Sequence, residues 1–163
     1  MKKQILPIAI AAALVTALAG FYYSPQSAYA PVFMERQELE RSVSYTTPRD
    51  LQNPGKIYHK APYLYVNEKY KGIHVINNAN PARPVPEGFI IAPGCIDMAI
   101  KGNILYIDNA VDLVAFDLNA RVVTERVKNI FPEPLSPDGY PCYVERPESY
   151  ILVGWKQNKI TSK

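Results

Sequence analysis

From Gly55 onward the chain alternates apolar and polar residues over short runs separated by turn residues, the period-two pattern of strands with one buried face. The runs predicted as strands are Lys56–Lys60, Tyr63–Asn67, Gly72–Asn77 and Phe89–Ile91. A second set follows at Ile96–Lys101, Ile104–Asp108, Leu113–Asp117 and Val122–Val127. Tyr150 to Trp155 (YILVGW) reads as one further strand, preceded by the proline-rich stretch FPEPLSPDGYPCYVERP at 131–147. Ahead of these runs, residues 31–54 differ in character. Met34 to Val43 holds a short predicted helix with Glu and Arg on its outside, and its apolar positions Phe33, Leu39 and Val43 are sparse. That sparseness predicts an irregular arm, loosely packed on the sheets or linking them to something else.

The two sets of strands are copies of one another. KAPYLYVN (60–67) laid on KGNILYID (101–108) pairs Lys60 with Lys101, Leu64 with Leu105 and Tyr65 with Tyr106, while the turn Ala61-Pro62 falls on Gly102-Asn103. GIHVIN (72–77) falls on DLVAFD (112–117) one residue out of step, as a single loop deletion would cause. A period of about 40 residues with four short strands per copy is that of a propeller blade. Such a sheet buries both faces and needs stacked neighbours, so Leu64 and Leu105 are both expected to face a shared core. The fold class expected is therefore all-β: a partial β-propeller of two four-stranded blades plus an extra C-terminal strand, with an N-terminal signal helix. The divisions are 1–30, the arm 31–54, and repeats over 55–163 (55–94 first, 95–131 second, 132–163 a loop and partial third).

Residues 1–30 carry Lys2 and Lys3, then no charge from Ile5 to Tyr23, then small residues, the order of a signal peptide or an uncleaved membrane anchor over residues 5–23. Two cleavage sites have the A-x-A form: Ala28-Tyr29-Ala30, which Pro31 disfavours, and Ala17-Leu18-Ala19 before Gly20. Leu18-Ala19-Gly20 resembles a lipobox, but Phe21 stands where the acylated cysteine would be. Without residues 1–30 the chain holds 16 basic and 15 acidic residues. That balance is wrong for a nucleic-acid partner. Export permits a disulfide between Cys95 and Cys142, and the sequence leaves open whether they pair.

Leu113-Val114-Ala115-Phe116-Asp117 and Ile73-His74-Val75-Ile76-Asn77 resemble the core strand of the LVIVD repeat, and Asn80-Pro81-Ala82-Arg83-Pro84 resembles that family's N/D-P-x-x-P turn. Over roughly residues 31–135 the chain looks like the N-terminal part of exported LVIVD-repeat β-propeller proteins of bacterial envelopes. The resemblance implies a β-propeller without a common catalytic site. The second repeat departs from it, having Asn119-Ala120-Arg121 in place of the proline turn, and only a partial third copy follows.

Physical reasons account for the motif itself. Alternation puts Ile73, Val75, Leu113 and Ala115 on one face, and the closing Asn or Asp caps the next turn.

Candidate chemistry is thin. His59 and His74 lie in predicted strands and read as packed or rim residues. Asp97, Asp108, Asp112 and Asp117 could in principle gather around Ca²⁺, but they lack the spacing of a calcium loop and sit at strand ends. Glu133 and Asp138 could form an acid/base pair only if the proline-rich loop positioned them. Tyr63, Tyr65, Tyr70, Tyr106 and Trp155 could stack on a sugar or peptide, or simply pack between blades. No catalytic, cofactor or metal residues are assigned. The expectation is a non-catalytic interaction scaffold of the periplasm or cell envelope. Its partner would be a protein or a second copy, joined at the open ends of the stack. The alternatives are a carbohydrate- or ligand-binding module using exposed tyrosines, and a truncated propeller relative with little independent function.

Overall fold

A computed structural model describes residues 27–158, and the chain there is all-β, in three antiparallel sheets. In chain order the elements are β1 (Tyr29–Glu35), α1 (Arg36–Arg41), β2 (Ser44–Thr46), β3 (Pro54–Lys60), β4 (Tyr63–Glu68), β5 (Gly72–Asn77) and β6 (Val85–Ile91). There follow β7 (Met98–Lys101), β8 (Ile104–Asn109), β9 (Asp112–Asp117), β10 (Val122–Val127) and β11 (Tyr150–Gln157). The first sheet has the order β2-β6-β5-β4-β3, the second β10-β9-β8-β7, and β1 pairs with β11 in a third. The expected signal or anchor lies outside the described residues up to position 26.

Turn chemistry sets the hairpins. Gly102, at φ +58°, opens the two-residue turn between Lys101 and Ile104, a conformation that glycine adopts without steric cost. Asn77 Oδ1 accepts the N–H of Ala79, and Asp117 Oδ1 accepts those of Asn119 and Ala120, so each strand-closing residue caps its turn as the pattern predicts. β7 starts at Met98 rather than Ile96, because the N–H groups of Ile96 and Asp97 donate to the Asp108 carboxylate and not to a ladder. β6 runs back to Val85 through Pro86, which is tolerated because β2 flanks only Phe89–Ile91.

The first and second sheets stack on one core. Tyr65, Ile73, Val75 and Ile90 come from the first, and Met98, Leu105, Ile107 and Phe116 from the second. Leu64 faces Ile76 across β4–β5 as Leu105 faces Phe116 across β8–β9, so their registers match. Their surroundings do not. Leu105 is fully buried, whereas Leu64 is partly exposed and lies on the far side of its sheet from the core. The expectation that both leucines face the shared core is thus corrected: matching positions lie on the same side of each sheet, and a core between two sheets uses opposite sides.

The arm is more tightly held than its sequence suggests. Leu39 is fully buried against Ala110 and Val153. Asp112, also fully buried, receives Arg36 Nη1 at 2.9 Å and Arg126 Nη1 at 2.7 Å, and accepts the N–H of Asn129. Two arginines and a backbone N–H on its oxygens let this carboxylate stay buried and staple α1 to β9 and β10. Further along, β2 adds a fifth strand to the first sheet. Residues 49–53 cross that sheet's outer face: the Arg49 guanidinium lies 4.7 Å from the Phe89 ring, and Glu68 accepts the N–H groups of Gln52 and Asn53.

Candidate functional site

The sequence-selected acids disperse into structural roles. Asp97 pairs with Lys56, Asp108 receives two backbone N–H groups, Asp112 holds two arginines and Asp117 caps a turn. Among the described residues no three His, Cys, Asp or Glu side chains are grouped to hold a metal ion. Glu133 pairs with Arg146, while Asp138 receives Ser27 Oγ, the N–H of Ala28 and Ser136 Oγ, so the two carboxylates serve different contacts. The Ser136 hydroxyl, with help from Ala28 and Ser27, holds the Asp138 carboxyl below its usual range.

His59 is exposed on edge strand β3. His74 is buried, edge-on to Phe89 at 4.8 Å between ring centres, with Nε2 3.1 Å from Glu68 Oε2. Burial pushes the Glu68 carboxyl up, but the Gln52 N–H, His74 and the Asn53 N–H together outweigh it and leave it lowered. Cys95 and Cys142 are both free, and burial holds the Cys95 thiol well above its ordinary pKa. Asn67 donates to Cys95 Sγ at 3.1 Å, which ties the thiol into the core.

The aromatic set divides. Tyr70 packs on Gly154, and the buried Trp155 donates its indole N–H to Pro134 O. Tyr106 lies on the outer face of the second sheet. There, with Ala99, Leu113, Phe131 and Leu135, it lines a groove of about 570 Å³. Ile96 and Phe131 at its edge are 42% and 39% exposed, so a broad apolar surface meets solvent. Tyr63 and Tyr65, on the first sheet, line a cleft between the first and second sheets of about 410 Å³. Tyr45 joins them from β2. Sequence reasoning passed over it because a three-residue strand in the arm shows no alternation to read.

No family model matches the chain, and no curated protein or solved structure matches it significantly.

Proposed function

We propose that the chain is a non-catalytic repeat protein of LVIVD β-propeller type, exported to the bacterial cell envelope, that acts as an interaction scaffold by head-to-tail association of copies. On this reading the first and second sheets are blades. The matching registers of β4–β5 and β8–β9 support it, as does the stacking of the two sheets through opposite faces.

The observation that carries the reading is the uncovered outer face of the second sheet. Tyr65, Ile73 and Val75 of the first sheet are buried under the second. Among the described residues no sheet covers their register equivalents Tyr106, Leu113 and Ala115 as the second covers the first set, and Tyr106 and Leu113 line the apolar groove. A surface built like the core side of the second sheet (Leu105, Ile107, Phe116) would complement that groove. At the molecule's other end residues 49–53 cover part of the outer face of the first sheet, and beside them Leu64 and Ile76 remain partly exposed and Ile57 is 67% exposed. Joining unlike surfaces in this way is heterologous association, which either closes into a ring or runs on as a filament.

Light scattering on the exported protein across a concentration series tests this. Growth from monomer to a closed or extended assembly is expected, abolished by Tyr106→Glu at the groove. A compact monomer at every concentration overturns the proposal.

A further inference from the structure

The cleft between the first and second sheets has a lining distinct from that of the docking groove and presents a different chemistry. Tyr65 projects into it from the centre of β4, Tyr63 from the start of β4, and Tyr45 from β2. Gly88 makes room for the last of these: a Cβ at that position would stand 2.0 Å from the Tyr45 hydroxyl. A β-bulge in β6, between Pro86 and Gly88, aims Glu87 into the same space, where its carboxylate accepts Asn77 Nδ2 at 2.8 Å. Lys60 and Arg121 stand at the mouth, the Arg121 guanidinium 4.2 Å from the centre of the Tyr45 ring.

A tyrosine hydroxyl carried into a protein interior ordinarily finds a hydrogen-bond partner there. Tyr65 is only 4% exposed as a whole, but its hydroxyl oxygen is not buried, and among the described residues neither it nor the hydroxyls of Tyr45 and Tyr63 has a protein partner. Instead they open into the cleft. Burial, reinforced by the nearby Tyr63, Tyr45 and Glu87 groups, pushes the Tyr65 pKa up to about 12, so its hydroxyl stays neutral and able both to donate and to accept.

We propose that the cleft walled by Tyr45, Tyr63 and Tyr65 binds a neutral polyhydroxylated ligand, a saccharide of one or two rings. Each sugar hydroxyl donates and accepts, as each phenol does, so three converging phenols fit a polyol better than they fit a simple ion. The charges point the same way. An anion entering past Lys60 and Arg121 meets Glu87, and a cation approaching Glu87 passes the two basic residues. A cleft of about 410 Å³ falls in the lower part of the size range of small-molecule sites, roughly 300–1,000 Å³. This site is separate from the association of copies, because the residues that line the cleft and those that line the groove do not overlap.

Saturation-transfer NMR on the exported protein tests the proposal, with glucose, N-acetylglucosamine and their β-linked disaccharides as probes and choline and citrate as charged comparators. Transfer to at least one sugar at millimolar concentration is expected. Tyr63→Phe, on a partly exposed side chain, and Tyr65→Phe each remove one hydroxyl and leave the ring, and each is expected to weaken binding about tenfold, ~1.4 kcal/mol. Tyr143→Phe, on a side chain 84% exposed and outside both the cleft and the groove, is expected to leave it unchanged. Three results would overturn the assignment: no transfer to any sugar, undiminished transfer in a folded Tyr63→Phe/Tyr65→Phe double variant, or a stronger response from choline or citrate than from the sugars.

Discussion

Leu105→Ala and Leu64→Ala make a matched pair, because the residues share a register position and differ only in what lies over them. Leu105 is fully buried in the core between two sheets, opposite Phe116 and beside Ile107. Removing three carbons there costs the transfer of those atoms plus the cavity they leave, about 2–5 kcal/mol. Strands β7 and β9 hold the backbone on both sides of β8, so the hole closes poorly, and about 3–4 kcal/mol is expected. Leu64 is partly exposed on the outer side of its sheet. Full burial of such a side chain contributes about 1.5–3 kcal/mol, so a partial share gives about 1 kcal/mol. Urea denaturation of each variant, read as a change in midpoint at constant slope, measures both losses. Equal losses, or a larger one at Leu64, would refute the assignment of opposite faces to the shared core.

Asp112→Ala strands Arg36 and Arg126 around an emptied buried site and is expected to cost about 3–5 kcal/mol in the same urea assay; a loss below about 1 kcal/mol would mean that α1 is not held by this carboxylate. Glu68 has a folded pKa lowered from its ordinary value, so its stabilising share is complete above the ordinary carboxylate range and is lost as pH falls through the lowered value. Melting temperature should accordingly drop below about pH 4, and Glu68→Gln should flatten that acid limb; an unchanged limb would exclude Glu68 as its source. If export cleaves the chain, mass spectrometry should find Gly20 rather than Pro31 at the mature N-terminus. Cleavage after Ala30 would remove Tyr29 and Ala30 from β1 and strip Asp138 of Ser27 and Ala28, and finding Pro31 would show these contacts to be dispensable.

The strands of the two larger sheets were legible because each writes its burial into its own residues, as in YLYVNE or ILYIDN, and Gly or Asn marks the turns. The association of the sheets was less so. Alternation reveals that a strand has two faces but not which neighbour covers each, so in sequence alone Leu64 and Leu105 look alike. Contacts between remote segments left still weaker traces. Leu39 looked like a lone apolar residue on a polar helix, and its burial depends on Val153, Ala110 and a carboxylate 76 positions beyond Arg36. β1 was hidden for a different reason: its first residues coincide with an A-x-A pattern, and Pro31 interrupts the run. In the cleft, Tyr63 and Tyr65 were visible as candidates. Tyr45 and Glu87 were not, since a short edge pairing and a bulge bring them there.

The pairing of β1 with β11 joins Tyr29 to Gln157 and Glu35 to Tyr150. During synthesis, therefore, β1, the first of the described strands to be made, is among the last to find its partner. The first two sheets can close from neighbouring segments while translation continues, but the third waits until almost all of the described chain has been made. Bringing ends so far apart together carries a loop-closure entropy that nearby hairpins escape, so this step should be late and slow relative to the hairpins. Until it happens, Phe33, Leu152 and Trp155 remain unsheltered, and the nascent protein stays an open chain that a chaperone can still engage.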